Sequence, residues 1–296
     1  MPEVALGTAQ FGLNYGITNE YGQVPEDEVA MILQEAARVG ITYLDTAQAY
    51  GKAETVLGKT LPRNHSFKIV TKLPKQESEK IDLQYLKKLE KDFHLSLQKL
   101  GVSKLEGFLL HSIDDIKRSD SGYLIDWLWS LQERGLVSYL GVSIYEASDL
   151  DNIYLDWIKL IQLPLSLYDQ RLIHDKTIRY LKSRGILIHS RSIFLQGLIA
   201  TPSHKWPLYL QHTSFMNHHK KAEQFAKEIG RSLLELAIDF SFSQSDVDCV
   251  LIGINSLNNL QEIINIKNNS VPIPFKSEMF LFNNLKYIDP RNWQPQ

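Results

Sequence analysis

ITYLDTAQAYG, residues 41–51, is an apolar run that stops abruptly at an acid, a hydroxyl and a phenol. Ile41, Tyr43 and Leu44 are strand formers, whereas Asp45, Thr46, Gln48 and Tyr50 are polar groups that a packed core accepts only with partners. Two readings fit this stretch alone: a strand ending in a turn that aspartate caps, or a strand whose end carries chemistry, with Asp45 and Tyr50 in a site. Its neighbours decide between them. Residues 67–72 (FKIVTK) end on Lys72 and residues 105–111 (LEGFLLH) end on His111, so three successive apolar strands close on groups suited to acid–base work.

The same rhythm continues in both directions. Strands are expected at 4–8 (VALGT), 136–143 (LVSYLGVS), 158–163, 185–191 (GILIHSR) and 248–254. Spacing predicts helices over 26–39, where Val29, Ile32, Leu33 and Ala36 share a face, and over 53–59, 82–100, 124–132, 147–158, 176–184, 222–229 and 257–266. Ser232 and Glu235 read as a capping box that opens one more. The turn-rich segment containing Gly12 and Gly16 reads as a ligand-facing loop. Residues 191–217 show no period and carry Pro202, Trp206 and Pro207, which predicts a long loop over the site, and residues 271–296 form a tail that wraps the barrel or borders the site.

Short apolar strands alternating with helices predict an α/β fold, a parallel (β/α)8 TIM barrel forming one domain over residues 1–296. The alternative is a doubly wound open sheet, but no G-x-G-x-x-G follows any of the strands. In a barrel the C-terminal strand ends share one face, which gathers Asp45, Tyr50, Lys72 and His111 around one mouth.

Composition narrows the partners. Hydrophobic residues at 44% and charged residues at 22% are those of a globular protein, and a net charge of -2 gives no footprint for nucleic acid or an anionic membrane. Cys249 is the only cysteine and sits in an apolar run, so it reads as a small buried hydrophobe. Neither a basic n-region nor an apolar h-region follows Met1, so the expected location is the cytoplasm. His212, His218 and His219 lie without a carboxylate or cysteine at ligand spacing and read as solvated loop residues, which leaves no metal site. His189 falls inside a strand and reads as a core or lumen histidine.

The chain resembles the aldo-keto reductases in Asp45, Thr46 and Ala47, in Tyr50 and Gly51, in Glu54 and Gly58, in Lys72 and His111, and in Gly141, Val142, Ser143 and Gln162. The resemblance implies a cytoplasmic oxidoreductase that reduces an aldehyde or ketone to an alcohol with NADPH or NADH. Its catalytic residues would be Tyr50 as general acid, with Asp45, Lys72 and His111. A phenol is a reluctant donor near neutral pH, so Lys72 is expected to lower its pKa, Asp45 to hold Lys72 charged, and His111 to orient the substrate oxygen.

The implied cofactor residues are Gly7, Thr8, Asp45, Ser143, Gln162, Arg191, Ser192, Phe194, Gln196, Gly253, Asn255, Ser256 and Asn259. Ser143 and Gln162 match groups that hold the carboxamide. Residues 192–197 take the place of the pyrophosphate loop, and Ser256 opens a helix whose N-terminus favours phosphate. Three departures stand out. Ile144 replaces an expected Asn, Arg191 replaces a stacking Tyr, and the family's plugging N-terminal hairpin is not evident. The family favours NADPH, but Asn255 and Asn259 stand where a basic residue would hold a 2′-phosphate, which leaves Lys205 or another loop cation to supply that charge.

The segments LGTAQFGLNYG, DQR at Asp169–Arg171 and RSIFLQGL resemble a bacterial branch associated with sugar or surface-polysaccharide metabolism. Gln10, Asn14, Gln48, Arg171 and Gln196 are polar residues expected near the mouth, of a kind that suits a hydroxylated ketone or aldehyde such as a keto sugar. Two other functions share this pattern: a nicotinamide-binding sensor or auxiliary protein with little turnover, and a lyase forming a Schiff base on Lys72. The partner expected is a small-molecule carbonyl compound, with no nucleic acid and no membrane, and either a monomer or a homo-oligomer.

Overall fold

Parallel pairing runs from strand to strand until the last meets the first. The computed structural model describes residues 1–270 and 276–293. Its strands are β1 (Glu3–Gly7), β2 (Tyr43–Asp45), β3 (Lys68–Leu73), β4 (Leu105–Leu110), β5 (Val137–Ser143), β6 (Leu160–Pro164), β7 (Leu187–Arg191) and β8 (Cys249–Gly253). They form a closed barrel in chain order, with β8 pairing β1 in parallel. The helices are α1 (Ala9–Gly12), α2 (Glu26–Arg38), α3 (Ala53–Thr60), α4 (Leu83–Leu100), α5 (Ser121–Glu133), α6 (Arg171–His174), α7 (Thr177–Ser183), α8 (Ser214–Glu228), α9 (Leu233–Phe242), α10 (Leu257–Asn268) and α11 (Leu285–Ile288). This is the (β/α)8 architecture expected, and the open sheet is excluded.

Alternation along each strand divides two environments. One face joins the large cluster between strands and helices, which includes Leu6, Leu44, Ile69, Phe108 and Ile188. The other face fills the lumen: Ala5, Cys249 and Leu251 pack with Tyr43, and Val70, Leu109 and Leu160 pack beside them. Cys249 is buried there as expected. His189 is buried too, with its ring edge-on to Tyr43 at 5.5 Å. Above this apolar filling, toward the C-terminal strand ends, Asp45, Lys72 and Gln162 are all buried.

Two expectations are corrected. Residues 147–158 do not form a helix; only Ala147–Leu150 make a single 3-10 turn. Asp149 turns its carboxylate back to accept from the amides of Tyr145 and Glu146, and Asn152 takes a left-handed φ of 60°, so local polar bonds win over helix propagation. The segment is still anchored, because Trp157 and Ile158 are buried.

The second correction concerns residues 191–217, whose C-terminal end is helical. Thr213 caps α8 by accepting from Met216 N, and α8 starts well before the residue-222 boundary expected. The helix buries Phe215, Met216, His219, Ala222 and Ala226. His219 is therefore a core residue, 2.8 Å from the Tyr168 hydroxyl and 3.2 Å from the Thr201 carbonyl. His218 reaches the Phe280 carbonyl at 2.9 Å. Neither is a solvated loop residue, and among the described residues no His, Cys, Asp and Glu cluster could hold a metal. No described helix is long and apolar enough to cross a membrane.

Of the tail, residues 271–275 and 294–296 lie outside the described residues. The rest packs on the segment after β6: Phe282 N donates to the Tyr168 carbonyl at 3.0 Å, Gln170 Nε2 donates to the Ser277 carbonyl at 2.8 Å, and Phe280 and Ile288 are buried.

Gly58 has a packing reason. A Cβ at this position of α3 would overlap the Lys99 carbonyl at the end of α4. Gly58→Ala should cost about 1–3 kcal/mol, read as a lower urea midpoint with an unchanged slope.

Candidate active site

Asp45 ends β2, and Lys72 lies one position before the end of β3. Lys72 Nζ donates to Asp45 Oδ1 at 2.5 Å and to the Thr46 carbonyl at 3.0 Å. Gln162 Nε2, from β6, donates to Asp45 Oδ2 at 2.7 Å, so both carboxylate oxygens are engaged. The Lys72 and Asp45 side chains are only 1% and 4% exposed. Glu54, buried on α3, accepts from Thr71 on β3 and Ser96 on α4, fixing the strand residue next to Lys72.

The turn after β2 aims Tyr50. Tyr50 N donates to the Ala47 carbonyl at 2.9 Å, and the Tyr50 carbonyl accepts from Ala53 N at 3.0 Å, where α3 begins. α1 presses against this turn so closely that a Cβ on Gly12 would overlap the Tyr50 carbonyl, and Gly51 takes φ +56° opposite it. Lys72 Nζ lies 5.2 Å from the Tyr50 ring centre. His111, directly after β4 and tied by its amide to the Leu73 carbonyl, sets its ring edge-on to Tyr50 at 5.9 Å. The four residues predicted for the mouth do assemble there.

The charges in the site are unevenly shielded. Burial raises the Tyr50 pKa, the Asp45 carboxylate raises it further, and Arg191 is the cation that opposes the rise. Tyr50 is thus a neutral phenol near pH 7. Lys72, expected to depress that pKa, makes its bonds to Asp45 and Thr46 instead. Its own pKa is lowered on balance, because burial outweighs the pull of the Asp45 carboxylate. His111 is pushed down to about 4 by burial and by the Lys72 and Arg191 charges, so its ring is neutral.

Sequence reasoning missed two tyrosines. Tyr15, between Gly12 and Gly16, is 38% exposed as a residue, but its hydroxyl end faces the site and is pushed up to about 12 by desolvation there and by Tyr50, with Arg191 opposing. Tyr145 is held between guanidinium groups, with Arg191 Cζ at 4.1 Å and Arg291 Cζ at 3.9 Å from its ring centre. Arg191 also donates to the Ile144 carbonyl at 3.1 Å, and among the described residues it makes no ion pair. Arg291 pairs with Asp289, and Arg171, one of the polar residues expected near the mouth, pairs with Asp169. The only signal for Tyr15 was its glycine-rich setting.

The residues expected to hold a cofactor fall into four groups. Ser143 ends β5 opposite Gln162 in register, within the tetrad's layer. Gly7 lies between Asp45 and Gly253 in register, while Thr8 is fully buried and donates from Oγ1 to the Asp45 carbonyl at 3.0 Å. Ser192, Phe194 and Gln196 form a tight turn that docks on the loop before α2, with Ile17 N donating to the Gln196 carbonyl at 3.2 Å. Gly253, Asn255, Ser256 and Asn259 surround the start of α10, where Ser256 Oγ accepts from Asn259 N at 3.2 Å. One missed residue enters this group: Glu28, on α2, accepts from Leu257 N at 2.6 Å. Asn255 Oδ1 and Gln48 Nε2 are buried with no partner, an acceptor and a donor left open for a polar ligand at this face.

The sequence profile of the Aldo/keto reductase family matches residues 3–277. The chain belongs to the aldo/keto reductase family. An L-galactose dehydrogenase of Arabidopsis thaliana is 26% identical over 260 residues, covering 82% of this chain and 78% of that protein. An uncharacterised oxidoreductase of Bacillus subtilis is 25% identical, covering 90% and 87%. An aldo-keto reductase of Bacillus halodurans, solved in its holo form, has the same fold at a TM-score of 0.72, with 22% identity and 94% and 89% of the two chains covered. As an aldo-keto reductase, the chain is an NAD(P)H-dependent oxidoreductase acting on a small-molecule carbonyl compound.

Burial also sets a pH response. His111, His189 and His219 each fall to about 4, below the ordinary value of about 6.5. The unfolded chain therefore binds more protons between those values, and stability falls as pH drops through this window. Asp115, raised to about 6 by burial, works in the opposite direction but holds a single proton. The urea midpoint should be lower at pH 5 than at pH 7, with His219→Gln flattening the difference.

Proposed function

We propose that this aldo-keto reductase reduces an aldehyde or ketone on a small hydroxylated molecule, such as a keto sugar, with Tyr50 as the proton donor. The observation that carries the reading is the neutral, half-buried Tyr50 phenol, edge-on to His111 and beside the buried Lys72–Asp45 pair. The reduced nicotinamide, when bound, supplies the hydride. Ser143 would hold its carboxamide together with Gln162, although the Gln162 amide nitrogen is already bonded to Asp45. The adenosine end would reach the start of α10, at Gly253, Asn255, Ser256 and Asn259.

The chain's own groups handle the oxygen and its proton. Neutral His111 donates a hydrogen bond to the carbonyl oxygen and fixes its direction. Tyr50 gives its phenolic proton to that oxygen as charge develops there, leaving a phenolate that is reprotonated from solvent. The Arg191 charge stabilises that phenolate, while Lys72, bonded to Asp45 and the Thr46 carbonyl, fixes with Gln162 the frame beside the ring. A Schiff base on Lys72 is disfavoured, because its nitrogen is buried and bonded twice on the strand side.

A hydroxylated substrate is supported by the unpartnered Gln48 amide at the mouth, an open donor for a hydroxyl oxygen. The name of the Arabidopsis relative, an L-galactose dehydrogenase, points the same way.

Tyr50→Phe should lower kcat/KM for reduction of a test aldehyde by roughly 10²–10⁴-fold, with NAD(P)H affinity retained in a tryptophan-quenching titration. Near-normal turnover in that variant would overturn the assignment of the proton donor.

A further inference from the structure

We infer that Glu28 makes this reductase select NADH over NADPH, an inference that rests on placing the cofactor's adenosine end at the start of α10. Leu257 is the first residue of this twelve-residue helix, and its amide is one of the open donors that an incoming anion would use. That donor is already taken by Glu28 Oε1 at 2.6 Å, across 229 residues of chain. The Asn259 amide is taken by Ser256. The anion-favouring end of α10 is thus filled by a carboxylate that belongs to the protein.

The surroundings reinforce that charge. The first turn of α2 carries Glu26, Asp27 and Glu28. Glu26 is paired with Lys59, but among the described residues no ion pair involves Glu28. No lysine or arginine occurs between residues 253 and 266. A 2′-phosphate would bring about two further negative charges to a carboxylate that no described cation pairs with.

The open acceptor argues in the same sense. Asn255 Oδ1, one residue before the helix cap, is buried without a partner. Together with the Glu28 carboxylate it makes the end of β8 rich in acceptors. A ribose 2′-hydroxyl supplies a donor to such a group, and a phosphate supplies only more acceptors. The chemistry at this end therefore fits a ribose diol.

Glu28 also ties α2 to α10, so the test must separate charge from tether. Glu28→Gln keeps an oxygen that accepts from Leu257 N and removes the charge. We would titrate the full chain and this variant by calorimetry with NADH, NADPH, AMP and adenosine 2′,5′-bisphosphate, the last two reporting the adenosine end alone. The expected result is that the wild-type chain binds NADH at least about tenfold more tightly than NADPH. Glu28→Gln should shrink that ratio by about tenfold, equal to 1.4 kcal/mol, by tightening NADPH and the bisphosphate relative to NADH and AMP, with the melting temperature close to that of the wild-type chain.

A wild-type preference for NADPH overturns the inference without any variant. An unchanged ratio in Glu28→Gln, with both dinucleotides binding, overturns it and leaves the reductase reading standing. Failure of the wild-type chain to bind either dinucleotide overturns both.

Discussion

The buried pair of Lys72 and Asp45 is the constraint on which the site depends. Removing a lysine and an aspartate from water is expensive, and their mutual attraction offsets this only when the remaining hydrogen-bonding capacity is also used. Here it is used: Thr46 supplies a carbonyl to Lys72, and Gln162 supplies an amide to the second Asp45 oxygen. Those contacts join β2, β3 and β6 above an apolar lumen. Behind the pair, Glu54 links α3, β3 and α4 through hydroxyl groups. The strand carrying Lys72 is thereby held from both faces.

A fixed pair gives Tyr50 a defined electrostatic setting. Burial keeps the phenol and the His111 ring neutral, which is the state needed for one to give a proton and the other to orient an oxygen. Arg191 supplies a positive charge that no described carboxylate neutralises, and it is positioned by the Ile144 carbonyl and the Tyr145 ring. Arg291, from the C-terminal segment, supports the same ring from another direction. That segment, anchored on Tyr168 and Gln170, thus reaches the edge of the site.

Much of this was legible in the sequence because it is local. Each strand announces itself as a short apolar run, and the tetrad sits at strand ends, so alternation with helices and a change in polarity were enough to locate Asp45, Lys72 and His111. What was not legible depends on distant partners. The 147–158 segment has helical spacing, but Asp149 and Asn152 prefer their own local bonds. His219 lies in a polar stretch of sequence, but α8 starts at Ser214 and turns that side chain toward Tyr168. Glu28 read as an ordinary first-turn acid of a helix, which it is; its second role arises only when closure of the barrel brings α2 against α10. Tyr145 gave no signal, since its two arginine neighbours lie on β7 and in the tail.

A buried ion pair is a weak source of stability compared with a well-packed neutral substitute. If Lys72 and Asp45 serve the chemistry and not the fold, the two properties should come apart. The direct measurement is on the paired replacement Asp45→Asn with Lys72→Met, comparing its urea midpoint and its turnover with those of each single change. The account predicts that either single change destabilises by about 3–5 kcal/mol, that the double change recovers most of that loss, and that turnover stays abolished. A double variant that is folded and turns over at close to the wild-type rate would contradict it.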